Sequence, residues 1–374
     1  MKKCCILLPL LFLLITNSFG QKAKQPNFKI NGTINADSGT VRLFFYREYI
    51  PNKEKVLEAQ IKNNKFSISG YIPEPQSVSI RIDERYRSSD FIIEKGPQTI
   101  SINIDSIDKT PDVNNKTMIN EYPKFSAFCD PINIKNELYD HRCDSLLKLY
   151  NYNLPESIKS DLRKESDIIY EESHKFHLQY SKMNPNSNVA FWMLIRKMGW
   201  GYEPIFDSIY NCFSNELKNS YAGKVLSRKL KIGSVLSVGK QFPLLQCVNT
   251  NNEKFTLDIF SKNNLTLVDF WYSQCNPCRS QFNTLKDLYK QFSDKGFEII
   301  GISVDRATNK ELWENTIIND KLIWKQYWDK DTKEANRLSI NAFPTNFLID
   351  STGKIIAKNI TLGELEKLLN KSLK

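Results

Sequence analysis

Two cysteines three positions apart, Cys275 and Cys278, bracket Asn276-Pro277 in a chain of 374 residues. Sulfurs at this spacing can join when the local turn brings the Cα atoms within about 4.4–6.8 Å, as the first turn of a helix does. A helix start also favours a thiolate, because it presents unpaired N–H groups and about half a positive charge. CxxC pairs lower a thiol pKa from about 8.5 to about 3.5–7.5. Pro277 suits a first turn, having no N–H to give. The chemistry implied is dithiol–disulfide exchange. An exposed, ionised Cys275 attacks a partner disulfide, and Cys278, deeper in the helix, resolves the mixed disulfide. Asp269 lies six residues before Cys275 within an apolar run. A carboxylate there is costly to bury, should titrate high, and can take the Cys278 proton. Pro344 follows Ala342-Phe343 at the start of another apolar run. A cis peptide there would turn the backbone polar groups of Phe343 toward the thiol, with no proline N–H in the way.

These residues need a scaffold, and the sequence from about Gly233 supplies one. Leu265-Thr266-Leu267-Val268-Asp269-Phe270-Trp271 is nearly continuous in apolar residues. Such a strand is buried on both faces, as in a mostly parallel sheet. After the cysteines, Phe282, Leu285, Leu288, Tyr289 and Phe292 share one face of a single predicted helix. Then follow a strand over Phe297 to Val304, helices over Lys310 to Ile318 and Thr332 to Leu338, a strand over Thr345 to Asp350, a turn at Ser351-Thr352-Gly353, a strand over Lys354 to Ala357, and a helix from Leu362. Strand–helix alternation ending in a hairpin predicts an α/β domain over 233–374.

The preceding chain reads differently. Phe28 to Ile30, Val41 to Phe45, Phe66 to Ile68, Val78 to Ile82 and Ile100 to Ile104 largely alternate apolar and polar residues, with turns at Asp37-Ser38-Gly39, Asn63-Asn64, Pro73/Pro75 and Gly96-Pro97. Half-buried antiparallel strands have this period, so residues 26–119 predict a small all-β sandwich-like domain. Residues 120–232 predict helices. Leu138, Leu146, Leu147 and Leu149 begin an amphipathic pattern, Pro155 opens a second helix, and Asn184-Pro185 breaks it. Ser187 caps a third helix with Phe191-Trp192 in its core stripe, and Pro204 to Leu230 forms one more helix or a pair. Glu171, His174 and His177 share a spacing that metals sometimes use, although a solvated helix face is the expected reading. No metal site is expected.

Residues 1–20 read as a signal peptide. Lys2 and Lys3 are followed by the apolar run Ile6 to Ile15 and the small-x-small Ser18-Phe19-Gly20. That run is shorter than the roughly 20 residues needed to span a bilayer. Cys4 and Cys5 precede it, so no lipid anchor is expected. The mature chain is expected in the periplasm or another cell-envelope compartment. The net charge of +10 is interleaved, with no Lys/Arg stripe carrying aromatics, which argues against nucleic-acid binding. Cys129, Cys143, Cys212 and Cys247 are expected as buried thiols or structural disulfides. Three pairings are open if all four join, and Cys129–Cys143 is the expected local bridge.

Val268-Asp269-Phe270-Trp271 followed by Cys275-x-Pro277-Cys278 resembles the active-site strand and loop of thioredoxins. Phe343-Pro344-Thr345-x-Phe347-Leu348-Ile349-Asp350, Gly353-Lys354 and the stretch Gly301 to Asp305 resemble the TlpA/ResA group of exported thioredoxin-fold proteins. Residues 26–230, with Glu94-Lys95-Gly96 and Asn184-Pro185-x-Ser187, resemble the β domain of unknown function and helices that often precede TlpA-like modules. The resemblance implies a thioredoxin-like C-terminal fold and a protein disulfide oxidoreductase. Cys275 would be its nucleophile, Cys278 its resolving thiol, Asp269 its buried acid/base and Pro344 its cis-proline. Trp271 and Phe343 would contact substrate. The redox group would be the Cys275–Cys278 disulfide itself, with no other cofactor. Its partners would be protein thiol or disulfide clients and a membrane electron-donor thiol protein. Two positions depart from the pattern. Gln274 precedes the first cysteine where Trp is frequent, and Gln281 stands where Glu is frequent; an amide relays no proton at neutral pH.

Other readings of the same residues are weaker. Zinc needs four ligands, and no second CxxC lies at finger spacing. Peroxide reduction usually needs Pro and Thr before the cysteine, where Val268 and Tyr272 stand. An envelope scaffold that binds a partner through residues 26–230, with the redox pair locking the complex, is the alternative from a different class.

Overall fold

The computed structural model describes residues 24–51, 56–84, 86–106 and 110–373. The signal peptide expected over 1–20 lies outside them. Among the described residues, no helix is long and apolar enough to cross a membrane.

Among the described residues, nine strands build the N-terminal part: β1 (Phe28–Ile34), β2 (Thr40–Phe45), β3 (Val56–Gln60), β4 (Lys65–Gly70), β5 (Gln76–Ile82), β6 (Tyr86–Arg87), β7 (Phe91–Ile93), β8 (Gly96–Ile102) and β9 (Asp112–Asn114). They form two sheets, ordered β4-β1-β8-β9 and β3-β2-β5-β6, with β7 also pairing β5. In β1 every second residue is buried. Ile30, Ile68 and Ile100 of one sheet join Val41, Leu43 and Ile80 of the other in one apolar cluster. Gly96-Pro97, expected as a turn, instead opens β8. Pro97 lies opposite Lys29 of β1, while β9 begins to pair only at Thr99, so no bond on that side needs a proline N–H.

Helices α1 (Tyr122–Leu149), α2 (Glu156–Met183), α3 (Asn188–Met198), α4 (Ile205–Cys212), α5 (Asn215–Asn219) and α6 (Tyr221–Gly233) follow. Ser187 Oγ accepts from Ala190 N–H at 3.1 Å and caps α3. The β sandwich and these helices share one core, which runs from Phe28 to Leu230. Trp192 Nε1 donates to Pro75 O across that junction at 3.0 Å. On α1 the buried residues are Phe125 and Ile132, whereas Leu138 and Leu149 are exposed. The start of α1 joins the shared core through Phe125, and the helix packs on α2. The expected Cys129–Cys143 bridge does not form, and both thiols are free. Both lie on α1, so fourteen helical residues hold them about 21 Å apart.

The α2 histidines are not on a solvated face, and among the described residues they do not form a group with Glu171 that could hold a metal. His174 and His177 are buried, while Glu171 is exposed and pairs with Lys175 at 4.0 Å. His177 Nε2 lies 2.9 Å from Ala190 O, so in the neutral ring this nitrogen donates. Burial pushes His174 down to about 4 and His177 down to about 3 from the usual 6.5. The unfolded chain therefore binds protons below pH 6.5 that the folded chain refuses. Stability present above that pH is lost as the pH falls, by about 2 kcal/mol per histidine at pH 5. Urea unfolding measured from pH 7.5 to 5 should show this slope, and His177→Phe should roughly halve it.

The C-terminal part contains β10 (Val248–Asn249), α7 (Asp258–Ser261), β11 (Leu265–Trp271), α8 (Asn276–Arg279), α9 (Phe282–Phe292), β12 (Phe297–Ser303), α10 (Lys310–Asn319), β13 (Lys325–Trp328), α11 (Lys333–Arg337), β14 (Thr345–Asp350), β15 (Ile355–Lys358) and α12 (Leu362–Ser372). One sheet, ordered β10-β13-β12-β11-β14-β15, carries an apolar cluster on each face. β11 and β13 run parallel to β12, β14 is antiparallel to β11, and β15 closes a hairpin. This is the α/β order expected of a thioredoxin-like domain, with β11 buried along its whole length. β13 has no counterpart among the expected elements.

Candidate functional site

The centre of the sheet sets the site. β11 ends at Trp271, and the loop after it is pinned before the cysteines arrive. Ser273 donates to the Asp305 carboxylate from N–H at 2.9 Å and from Oγ at 2.7 Å, and Ser303 Oγ adds a third bond at 2.9 Å. Cys275 N–H donates to Tyr272 O at 3.0 Å. Cys275 and Cys278 then form a disulfide with Cα atoms 5.3 Å apart. Cys278 N–H donates to Cys275 Sγ at 3.2 Å, so Cys275 caps α8 with its own sulfur. That N–H is a local donor for a charge on this sulfur.

Two expectations need correction here. The single helix expected after the cysteines is divided into α8 and α9. Ser280 Oγ donates to Pro277 O at 2.8 Å, and Gln281 N–H turns to Cys278 O, which tightens the backbone between them. Cys275 is also not exposed in this oxidised form, for each cysteine is 1% accessible. Both sulfurs lie in the apolar cluster of Trp271 and Phe282, against which Tyr272 and Phe343 also pack.

Asp269 shares a face of β11 with Leu265, Leu267 and Trp271, which belong to that same cluster. It is 4% exposed, and its Oδ1 is buried with no hydrogen-bond partner. Burial alone raises its carboxyl from 3.8 to about 7. The Phe343–Pro344 peptide is cis. Thr345 pairs with Phe270, so Pro344 comes level with the end of β11 where the cysteine loop begins. Phe343 and Tyr272 meet edge to face, with ring centroids 5.8 Å apart. Trp271, expected to touch substrate, is instead 1% exposed, stacks edge-on to Phe282 and donates Nε1 to Gln326 Oε1 at 3.1 Å. Its odd place in β11 turns it under the site, and Tyr272 stands beside Phe343 in its stead. Asp305 and Gln326 were missed from the sequence. A lone Gln amid Trp324, Tyr327 and Trp328 is the one signal that could have marked a buried amide.

Comparison with known proteins covers this part of the chain. A family model described as AhpC/TSA family matches residues 238–358, and one described as a domain of unknown function (DUF4369) matches residues 28–123. A thiol-disulfide oxidoreductase ResA of Bacillus cereus is 31% identical over 140 residues, covering 36% of this chain and 79% of the relative. ResA of Bacillus subtilis (strain 168) is 26% identical over 122 residues, covering 32% and 66%. A solved thioredoxin domain of a thiol-disulfide oxidoreductase from Bacteroides vulgatus has 31% identity, covers 37% of this chain and 99% of its own, and has a TM-score of 0.34. The Bacillus cereus likeness runs through most of that relative's length. By it, the chain belongs to the ResA family of thiol-disulfide oxidoreductases, with its redox chemistry in the C-terminal thioredoxin-like domain.

Proposed function

We propose that the chain is an exported, cell-envelope disulfide reductase that passes electrons from a membrane thiol protein to protein disulfides. The observation that carries this is the Cys275–Cys278 disulfide at the end of β11, on the face that holds buried Asp269 and beside the cis Phe343–Pro344 peptide.

In the reduced protein, the Cys275 thiolate attacks one sulfur of a client disulfide. A Cys275–client bond forms, the client S–S bond breaks, and the client's first thiolate leaves. Cys278 then gives its proton to Asp269 and attacks Cys275 Sγ. The Cys275–Cys278 bond closes, the client's second thiolate leaves, and two electrons have passed to the client. Cys278 is the resolving group because it lies within α8, whereas Cys275 stands at the cap of that helix. Asp269 suits the proton transfer because a base titrating near the working pH can both accept and release. Phe343 and Tyr272 offer an aromatic edge to the client, and the cis-proline leaves the Phe343 backbone free of a competing N–H. The donor protein returns the electrons by the same exchange in reverse order.

The reducing direction is part of this proposal: the closed disulfide, packed in an apolar cluster, is the form the protein reaches after each transfer. No cofactor beyond the pair is required.

A Cys278→Ser variant expressed in its native host should hold clients on Cys275 as mixed disulfides, identified by mass spectrometry after thiol blocking. Recovery no greater than from a Cys275→Ser/Cys278→Ser control would defeat the assignment.

A further inference from the structure

Asp269 belongs to a row of residues crossing the sheet. It lies opposite Gly301 of β12, and Gly301 lies opposite Gln326 of β13, so all three project to one face. Gly301 has no side chain, and the Gln326 amide occupies the space above it. A Cβ at position 301 would stand 2.1 Å from Gln326 Oε1 and 2.8 Å from its Nε2. The amide therefore reaches over β12 toward β11. Trp271 Nε1 can only donate, so its bond to Gln326 identifies the oxygen end. The nitrogen end, Nε2, is buried with no partner, and so is Asp269 Oδ1. One is a donor and the other an acceptor, a single strand apart.

We propose that Gln326 is the positioning residue for Asp269: its Nε2–H donates to the ionised Asp269 carboxylate and holds it as the base for Cys278. This rests on the acid–base reading of Asp269 given above. An amide suits the task because it steadies the anion without adding a charge that would suppress proton uptake. Trp313 Nε1, on α10 in the same cluster, is another buried donor without a partner; the remaining groups around Asp269 are committed or apolar. Asn346, opposite it on β14, donates to Ile360 O and accepts from Ile360 N–H. The Asp305 carboxylate is taken by Ser273 and Ser303. α9 and α12 contribute Phe282, Leu285 and Leu365, and the cap and body of α8 contribute the two sulfurs, which titrate once reduced alongside the phenols of Tyr272 and Tyr289.

The test follows the resolving step, release of the second client thiolate, against pH in the full chain. Gln326→Met keeps the bulk and removes the donor. Its midpoint should move up by about one pH unit, with the rate about tenfold lower near pH 6 and equal to wild type well above the midpoint. Gly301→Ala, which displaces the amide, should shift it in the same direction. In the reduced wild-type protein, the Gln326 side-chain N–H resonances should titrate together with the Asp269 carboxyl carbon. A folded Gln326→Met with the wild-type midpoint overturns the proposal. So do Gln326 resonances that ignore the Asp269 titration, a measurement that decides alone if the variants do not fold. The two readings fail separately. An Asp269→Asn variant that keeps the wild-type profile removes the acid–base role, and the resonance titration then upholds or overturns the Gln326–Asp269 bond.

Discussion

Cys275→Ser should lower the rate at which the protein speeds insulin disulfide reduction by dithiothreitol at least about a thousandfold, to the uncatalysed background. Losing a nucleophile removes the whole covalent route, not one contribution to it. A serine hydroxyl does not ionise near neutral pH and forms no bond to a client sulfur. The substitution leaves Cys278 in place, so residual activity would report a thiol acting without its neighbour. The comparison should include Cys129→Ser, whose thiol is free on α1, far from the redox pair in the fold. That variant should keep the wild-type rate. Insulin turbidity traces that coincide for Cys275→Ser and wild type would remove the reductase reading altogether.

Asp269→Asn should trade activity for stability. Below pH 3.8 this carboxyl is protonated whether the chain is folded or not. Between 3.8 and about 7 the folded form holds a proton that the unfolded form has released. Stability therefore falls as the pH rises through that window, by about 4 kcal/mol in total for a shift of this size. Asparagine carries no such dependence, though its own buried amide forfeits part of the gain. At pH 8 urea denaturation should find the variant about 2 kcal/mol more stable than wild type, and at pH 4 the advantage should vanish. The resolving step should slow about a hundredfold in the same variant, the usual scale for a lost general base. Equal stability at pH 8 would mean that the carboxylate has a compensating charge, against the surroundings described.

What the sequence made legible was whatever depends on local pattern. The seven-residue apolar run ending at Trp271 could only be a central strand, and a carboxylate inside it could only be buried. Thr345–Asp350 reads as a strand for the same reason. Ser187 was recognisable as a cap because its hydroxyl acts three residues away. Features made by distant partners were hidden. β13 is four residues long, with Lys325 at its start and two aromatics at its end, and only pairing with β12 makes it a strand. Pro97 looked like punctuation because a sequence does not show which side of a strand lacks a neighbour. The amphipathic spacing of Leu138 and Leu149 did not say where a helix outruns the surface beneath it, and both are exposed. The same gap hid Gln326, whose meaning depends on a glycine in the next strand.

The placing of β1 bears on how the chain must assemble as it emerges from a ribosome or a translocon. β1 can find β4 early, but its other edge pairs in parallel with β8, so Phe28 waits for Gly96. The cluster that buries both sheets closes only when Leu230 arrives. The edge of β1 therefore stays open for about seventy residues of synthesis, and apolar side chains stay exposed for about two hundred, the state most prone to aggregate. The redox domain, with its own two clusters, can complete its folding after the rest has closed.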